Sequence, residues 1–197
     1  MASLFDTLQA GASRNSIRLR TDDAKNWFKR EVKKLGAVAP KTVMKDEALD
    51  PSSRYIAGNM YMYFYDPKHK KTLPYYDRFP LTIAVQPAPG GFYGLNLHYL
   101  SPIVRARFLD ELLALAPSKV GNNTRLAKLR FNLLDGVKKY KEFKPCYKHY
   151  LNAHVKSQFV RVPMPDWEIA IFLPTEQFEK VQKDTVWRYS RKIYAEA

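Results

Sequence analysis

The stretch GNMYMYFYDPKHKKTLPYYDRFPLTIAV, residues 58–85, places five tyrosines and two phenylalanines within 28 positions. In its first part the side chains alternate in character, as they do along an extended strand. Met60, Met62 and Phe64 lie on one side of such a strand, and the tyrosines at positions 61, 63 and 65 lie on the other. Both sides are apolar enough to be covered, so the pattern predicts a strand that is buried on both faces.

Two further strands are expected, in RFPLTIAVQ at residues 78–86 and in GFYGLNLHYL at residues 91–100. The Asp-Pro pair and the charges of DPKHKKT, residues 66–72, are typical of a turn, and so is PAPGG, residues 87–91. Three strands joined in this way predict a small, strongly bent antiparallel sheet, of which an SH3-like barrel is the closed form. The side chains expected to fill its interior are Met60, Met62, Phe64, Phe79 and Leu81.

Helical patterns flank these strands. In TDDAKNWFKREVKKLG, residues 21–36, Thr21 is a candidate N-cap and Gly36 a candidate stop. Ser101 and Pro102 begin a second helix, over residues 101–117. The other predicted elements are a basic helix at 122–143, a shorter helix at 146–159, a strand at 166–173 and one or two amphipathic helices within 175–197.

The predicted fold class is α+β, a small bent antiparallel sheet with flanking amphipathic helices. The length of 197 residues suits one domain. We expect this domain over residues 21–197, preceded by an extended N-terminal arm over residues 1–20. Within the domain we expect a β-rich core at 58–100, a helical basic region at 101–160, and a strand with C-terminal helices at 161–197.

The chain is strongly basic, with 33 Lys and Arg residues against 19 Asp and Glu and a formal net charge of +14. Residues 119–161 hold eleven of the basic residues and two acidic ones, a net of +9, whereas residues 58–100 carry a net of +2. A basic region of this strength suits DNA, RNA or an acidic protein partner. A lysine-rich surface that only keeps the protein soluble is the alternative interpretation.

Two groups of residues are candidates for binding. In the first group, cations stand beside tyrosines or on the polar faces of the predicted basic helices, where they can meet nucleic acid or an acidic partner. Its members are Lys68, Lys70, Lys71, Tyr75, Tyr76, Arg125, Lys128, Lys138, Lys139, Lys141, Lys144 and Lys148. The second group lies in segments expected to order on a neighbouring subunit, since aromatic residues and arginine are common at interface centres. Its members are Arg14, Arg18, Arg20, Trp187, Arg188, Tyr189, Arg191 and Tyr194.

No pattern of a catalytic or metal site stands out. Cys146, His149 and His154 are residue types that bind zinc, but on a helix His154 would face away from the other two. Asp166 and Glu168 lack the sequence context of a nuclease site. We therefore expect a non-enzymatic protein without a cofactor, a metal or a small-molecule substrate. The sequence also lacks a secretory signal and an apolar run long enough to span a membrane, so no membrane partner is expected.

Four blocks of sequence resemble a protein family of T-even-like contractile-tailed bacteriophages, the myophages. The blocks are GNMYMYFYDPKHKKTLPYYDRFPL at 58–81, GFYGLNLHYL at 91–100, FKPCYKHYL at 143–151 and RVPMPDWEIAIFLPTEQF at 161–178. The resemblance spans residues 27–191. It implies a virion or assembly protein and a similarity to proteins that protect the ends of packaged DNA.

The resemblance further implies a structural component of the phage particle, at the neck, tail or baseplate. Such a protein is made in the cytoplasm of the host bacterium and carried in the virion. Its partners would be other virion proteins, in a symmetric ring or wedge, which it contacts through its termini and basic surfaces. The alternative is a protein that binds double-stranded DNA, either to protect packaged ends or in phage DNA metabolism.

Overall fold

The computed structural model describes residues 3–114 and 141–195. Its helices are α1 (Leu4–Arg14), α2 (Asp22–Leu35), α3 (Pro40–Val43), α4 (Pro102–Ala114), α5 (Phe143–Cys146), α6 (Trp167–Phe172) and α7 (Lys183–Ala195). Its strands are β1 (Asp50–Ser52), β2 (Met60–Met62), β3 (Tyr76–Asp77), β4 (Leu81–Ala88), β5 (Gly91–Asn96), β6 (Tyr147–Leu151), β7 (Phe159–Val162) and β8 (Phe178–Glu179). Short 3-10 turns cover Leu97–Tyr99, Asn152–His154 and Met164–Asp166. This mixture confirms the predicted α+β class.

Six of the strands form one antiparallel sheet in the order β1-β7-β2-β4-β5-β6, while β3 and β8 form a separate pair. A register shift between Ala84 and Gln86 interrupts the β4–β5 ladder and favours a local bend. Strands β1 and β6 are the two edges of the sheet and do not pair with each other. The SH3-like barrel is therefore wrong for the described residues, because the sheet stays open.

The sheet is covered on both faces, as the alternating sequence predicts. Met60 and Met62 lie in the large core between the sheet and the helices, which confirms the interior predicted for this side of β2. The neighbouring tyrosines face the other way and form a separate aromatic cluster. This cluster consists of Tyr61, Tyr63, Tyr65, Ala84, Phe92, Tyr150 and Phe159. Tyr63 has no exposed area, and its ring meets Phe159 edge-on with 4.9 Å between the centroids, so these rings serve packing.

The first segment of the chain is a helix and not an extended arm. The hydroxyl of Ser3 caps α1 by accepting a hydrogen bond from the Asp6 N–H. Phe5, Leu8 and Ala12 recur at helical spacing and are buried, and α1 packs against α2 and α6. The extended arm predicted for this segment is therefore wrong for the residues of α1, because its apolar stripe is buried against the core.

The helices predicted at 21–36 and 101–117 are confirmed within the described residues, as is a helix near the C-terminus. Thr21 accepts a hydrogen bond from the Ala24 N–H at the start of α2. Gly36 ends this helix with a φ of 66°, which glycine adopts without strain. The basic helix predicted at 122–143 falls almost wholly outside the described residues. Within the described ranges, no helix combines the length and apolar character that crossing a membrane requires.

Two predicted elements have the wrong type. Residues 146–159, predicted as a helix, contain β6, which pairs along its whole length with β5. Residues 166–173, predicted as a strand, contain α6 instead. Every residue of α6 is buried. In a short segment without an exposed face, the hydrophobic pattern has no periodicity that distinguishes a helix from a strand.

Asp166 precedes α6 and is buried. Burial, together with nearby Asp6 and Asp46, raises the pKa of Asp166 from 3.8 to about 6. Because the folded-state pKa lies above the unfolded value, the ionised carboxylate opposes folding. This penalty grows as the pH rises through the window between these two pKa values.

We expect Asp166→Asn to raise the melting temperature by about 3 °C at slightly alkaline pH, which corresponds to roughly 1 kcal/mol. The gain should shrink at pH values below about 5, where the native carboxyl group is already mostly protonated. Scanning calorimetry at both pH values tests this, with exposed Glu47→Gln as the control. An equal gain at the two pH values would show that ionisation of Asp166 is not responsible.

Candidate nucleic-acid interface

A cavity of about 550 Å³ lies between the turn at residues 66–76 and β6. Its volume falls within the roughly 300–1,000 Å³ that is usual for small-molecule sites, so a group of the size of a nucleotide can enter it. Buried rings form part of the wall, namely Tyr65, Tyr99 and Tyr150. Partly buried Tyr75, Tyr76 and Lys148 and exposed Lys68, His69 and His149 also line it.

Hydrogen bonds to its backbone hold the turn in place. Lys180 Nζ donates to the carbonyl oxygens of Lys71 and Leu73, over 3.1 and 2.5 Å. On the other side, His154 Nδ1 lies 2.7 Å from the carbonyl oxygen of Asp66, to which it donates. The backbone of the turn is thereby fixed, while its lysine side chains stay exposed.

Lys148 projects from β6 and lines the cavity. Its Nζ lies 4.2 Å from the centroid of the Tyr99 ring, which is a cation–π contact. Burial lowers the pKa of Lys148, and no carboxylate within residues 3–114 and 141–195 forms an ion pair with it. An ammonium group that is partly desolvated without an anionic partner is unfavourable, so this position favours an anionic ligand.

Tyr75 connects the cavity to the C-terminal helix α7. Its ring is nearly parallel to that of Tyr189, at 16° and 6.0 Å between centroids, and lies 5.9 Å from that of Tyr99. Arg188 and Lys192 are exposed on α7, one helical turn apart and next to Tyr189. The contact between Tyr75 and Tyr189 therefore joins the turn to a helix that carries exposed cations.

A buried polar network lies behind the cavity. Asp77 Oδ2 is 2.7 Å from His98 Nδ1, and His98 Nε2 is 3.2 Å from the Thr175 hydroxyl. Hydrolase triads place a carboxylate, an imidazole and a hydroxyl in the same order. Here His98 and Thr175 have no exposed area, so a substrate does not reach the hydroxyl. We assign the network to joining β3, the 3-10 turn at Leu97–Tyr99 and the segment before β8.

Four of the residues predicted to bind nucleic acid or an acidic partner come together in this cavity: Lys68, Tyr75, Tyr76 and Lys148. The others are more scattered. Lys70 pairs with Asp66, with 2.9 Å between Nζ and Oδ1, and Lys71 is exposed in the same turn. Lys141 and Lys144 are exposed shortly before β6. Arg125, Lys128, Lys138 and Lys139 lie outside the described residues, so their role stays a prediction.

The residues predicted to contact a partner lie in two places. The side chains of Arg188, Tyr189 and Arg191 are exposed on α7, where Tyr194 is partly buried. Trp187 points inward instead, and its Nε1 donates to the His98 carbonyl oxygen at 2.9 Å. Arg14, Arg18 and Arg20 are exposed at the end of α1 and before α2, and the Arg20 N–H donates to Glu168.

The residues considered for zinc binding do not converge. Cys146 is buried, and burial raises the pKa of its thiol to about 12. His154 is engaged by the Asp66 carbonyl, and His149 Nε2 donates to the Pro89 carbonyl oxygen at 3.1 Å. In the part of the chain that the structure describes, no group of three or more His, Cys, Asp or Glu side chains can hold a metal ion.

The sequence does not single out several of the cavity residues, namely Tyr65, Tyr99, His149 and Tyr150. Tyr65 reads as a packing residue of the first strand, and the other three ring residues lie far from the turn in sequence. One signal was available, because Lys148 and Tyr150 share a face if KHYL is read as a strand. The helix predicted for this segment concealed it.

Tyrosine rings beside lysines, in a strongly basic α+β protein, are features typical of proteins that bind nucleic acid. A family model for the phage T4 terminal DNA protecting protein matches residues 6–197, so the chain belongs to that family. The resemblance to a T-even-like phage family is thereby confirmed. The family supports the DNA-end alternative more than a structural role, and it gives no support to a position at the neck, tail or baseplate. Searches of curated proteins and of solved structures return no match.

Proposed function

We propose that this protein binds the ends of linear double-stranded DNA and shields them, without catalysis. The cavity receives the terminal nucleotide, and the cations around it contact the neighbouring phosphates. The observation that carries the proposal is that tyrosine rings meet, in one cavity, a lysine without an ion-pair partner among the described residues. Membership of a family described as terminal DNA protecting supports the end of the duplex as the ligand.

An aromatic cavity distinguishes a DNA end from the interior of a duplex. Inside a duplex each base is stacked on both sides, and extruding one costs a few kcal/mol. At an end one face of the last base pair is free, and stacking on an aromatic side chain is worth about 1–3 kcal/mol per base. Tyr75 and Tyr76 are the rings suited to this contact, since they are only partly buried.

The surrounding cations supply affinity that does not depend on sequence. Lys68 and Lys71 are exposed on the turn, and Arg188 and Lys192 are exposed on α7. Their charges can meet the phosphates that follow the terminal nucleotide, and contacts to phosphates carry no base preference. Binding should therefore weaken as salt rises, and it should vary little among ends of different sequence.

The proposal predicts protection from enzymes that degrade DNA from its ends. The full-length protein should delay an exonuclease on a linear duplex and leave endonuclease cleavage at an internal site unchanged. With Lys68→Glu and Lys71→Glu combined, we expect about tenfold more protein to be needed for the same protection, because two phosphate contacts become repulsive.

The matched control combines Lys29→Glu and Lys33→Glu, which make the same charge change on exposed positions of α2. Protection by this control should stay within about twofold of the unchanged protein, since the residues lie on a different element from the cavity. Equal loss in both double variants would mean that overall charge, and not this surface, governs protection.

Residence in the phage particle is a second proposal, compatible with the first. Tyr189 and Ile193 expose 45% and 42% of their areas on α7, and exposed apolar side chains beside arginines suit contact with another virion protein. Mass spectrometry of purified particles should find the protein in a fixed copy number. Its complete absence from particles would leave only a role inside the infected cell.

A further inference from the structure

We propose that the cavity recognises the terminal phosphate monoester of a DNA strand, with Lys148 as the cation that meets it. The inference deepens the proposed function and rests on it, because the phosphate is read as part of a DNA end. It assigns different tasks to two sets of cations. The exposed lysines of the turn bind any phosphate, whereas Lys148 responds to a phosphate that only an end presents.

The charge balance of the cavity supports this assignment. Among the described residues that line the cavity, Asp77 is the one carboxylate, and its side chain faces the buried network. Its Oδ1 accepts hydrogen bonds from the Phe79 and Gln177 N–H groups. Its Oδ2 accepts one from Asn96 Nδ2 and lies within hydrogen-bond distance of His98 Nδ1. Lys148 contacts the face of the Tyr99 ring and has no anionic partner among the described residues. Burial lowers the pKa of Lys148, because its ammonium group is partly desolvated and no carboxylate among the described residues stabilises its charge.

The geometry favours a monoester over the diesters inside a strand. A terminal phosphate carries about −1.5 to −2 charges at neutral pH and three free oxygens, and nothing follows it in the chain. It can therefore enter a recess, whereas an internal phosphate is held between two sugars on the outside of the duplex. Lys148 is partly buried, while Lys68 at the same cavity is exposed. The recessed cation thus suits the monoester, and the exposed one suits the backbone.

The attached nucleoside has suitable contacts beside the phosphate. Tyr75 and Tyr76 line the same cavity as Lys148 and keep part of their surface exposed. The Tyr75 ring contacts those of Tyr99 and Tyr189, so it is positioned before a ligand arrives. Stacking on such a ring is independent of base identity, and the combination selects a phosphorylated end of any sequence.

The test measures binding of the full-length protein to a short duplex with one end closed by a linker that contains no bases. The open end carries a 5′-phosphate, a 3′-phosphate or hydroxyl groups only. We expect one of the phosphorylated ends to bind about tenfold or more tighter than the hydroxyl end, as a charge-assisted contact would give. The phosphorylated end that binds with the higher affinity identifies which strand terminus enters the cavity.

Lys148→Met should remove this preference while binding to hydroxyl ends is retained, and Lys148→Arg should keep most of it. Lys41→Met, an exposed lysine of α3, is the matched control and should leave the preference unchanged. Thermal unfolding confirms that each variant is folded. If the unchanged protein binds phosphorylated and hydroxyl ends with equal affinity, that result alone overturns the inference, whatever the variants show.

Three further outcomes bear on this inference and on the proposed function. A preference for open over closed ends without any effect of phosphate supports end binding and rejects the role of Lys148. Competition by a deoxynucleoside monophosphate at the concentration that DNA ends require would show that a free nucleotide is the ligand, which also overturns the inference. No preference for open ends at all would reject the proposed function itself.

Discussion

Replacing Arg105 by methionine is expected to lower the free energy of unfolding by about 3–5 kcal/mol, the usual effect of removing one partner of a buried ion pair. The guanidinium has no exposed area, and its Nη2 lies 2.5 Å from Glu176 Oε1. It also donates to the carbonyl oxygens of Leu97, Leu100, His98 and Ile171. Methionine fills much of the volume but leaves these acceptors and the carboxylate without their donor.

The pH dependence of this variant gives a second signature. Burial alone would raise the pKa of Glu176, but Arg105, with His98 and Lys183, outweighs it and lowers the pKa from 4.5 to about 2. The pair therefore stabilises the fold above pH 4.5, and this contribution is lost as the pH falls towards 2. The destabilisation by Arg105→Met should be largest near neutral pH and shrink in acid.

Urea unfolding at neutral and acidic pH measures this effect. Arg107→Met is the matched control, because Arg107 is exposed on the same helix, and its effect should stay within about 0.5 kcal/mol. An Arg105→Met effect that is equally large at both pH values would point to lost packing or lost carbonyl contacts as its main source.

Replacing Gly91 by alanine is expected to lower the free energy of unfolding by about 3 kcal/mol, the upper end of ordinary overpacking. The new Cβ would lie 1.8 Å from the carbonyl oxygen of Tyr150 and 2.8 Å from its carbonyl carbon. Both are backbone atoms, so no side-chain rotation relieves the clash. Because β6 carries Lys148 and pairs with β5 at this point, the variant should also lose affinity for DNA ends.

The neighbouring Gly90 provides the control for Gly91. It has a φ of +70°, and among the described residues an added Cβ would meet only the side chain of Leu151, at 3.6 Å. Gly90→Ala should therefore cost about 1–2 kcal/mol from backbone conformation alone, and should leave the cavity intact. Chemical unfolding compares the two variants. If Gly90→Ala is as damaging as Gly91→Ala, the close approach of β5 to β6 is not the reason.

Local sequence patterns correctly predicted the elements whose burial or ends are visible in the residues themselves. The alternation from Met60 to Tyr65 gave a strand with two covered faces, and Thr21 with Gly36 gave both ends of α2. The apolar stripe of α1 is equally visible in the sequence, but the small polar residues of this segment favoured an extended arm. The helix predicted at residues 146–159 was wrong, because β6 adopts its strand conformation through pairing with β5 and not through its local sequence pattern.

The candidate site was predictable only in part, for a physical reason. The turn with Lys68 and Tyr75 stands out in sequence, because charge and aromatic surface coincide in an exposed loop. The cavity also needs Tyr99 and Lys148, which come from distant parts of the chain. No local periodicity relates such residues. The cation–π contact of Lys148, and its lack of a carboxylate partner among the described residues, appear only in three dimensions.

Recognition of DNA ends is the central claim, and one binding measurement tests it most directly. The full-length protein is titrated against a duplex with open ends and against the same duplex with both ends closed by linkers that contain no bases. Length, sequence and salt concentration are held equal, so backbone contacts contribute equally. We predict at least about tenfold tighter binding to the open-ended duplex, from stacking of the terminal base pair. Equal affinity for the two would contradict the claim.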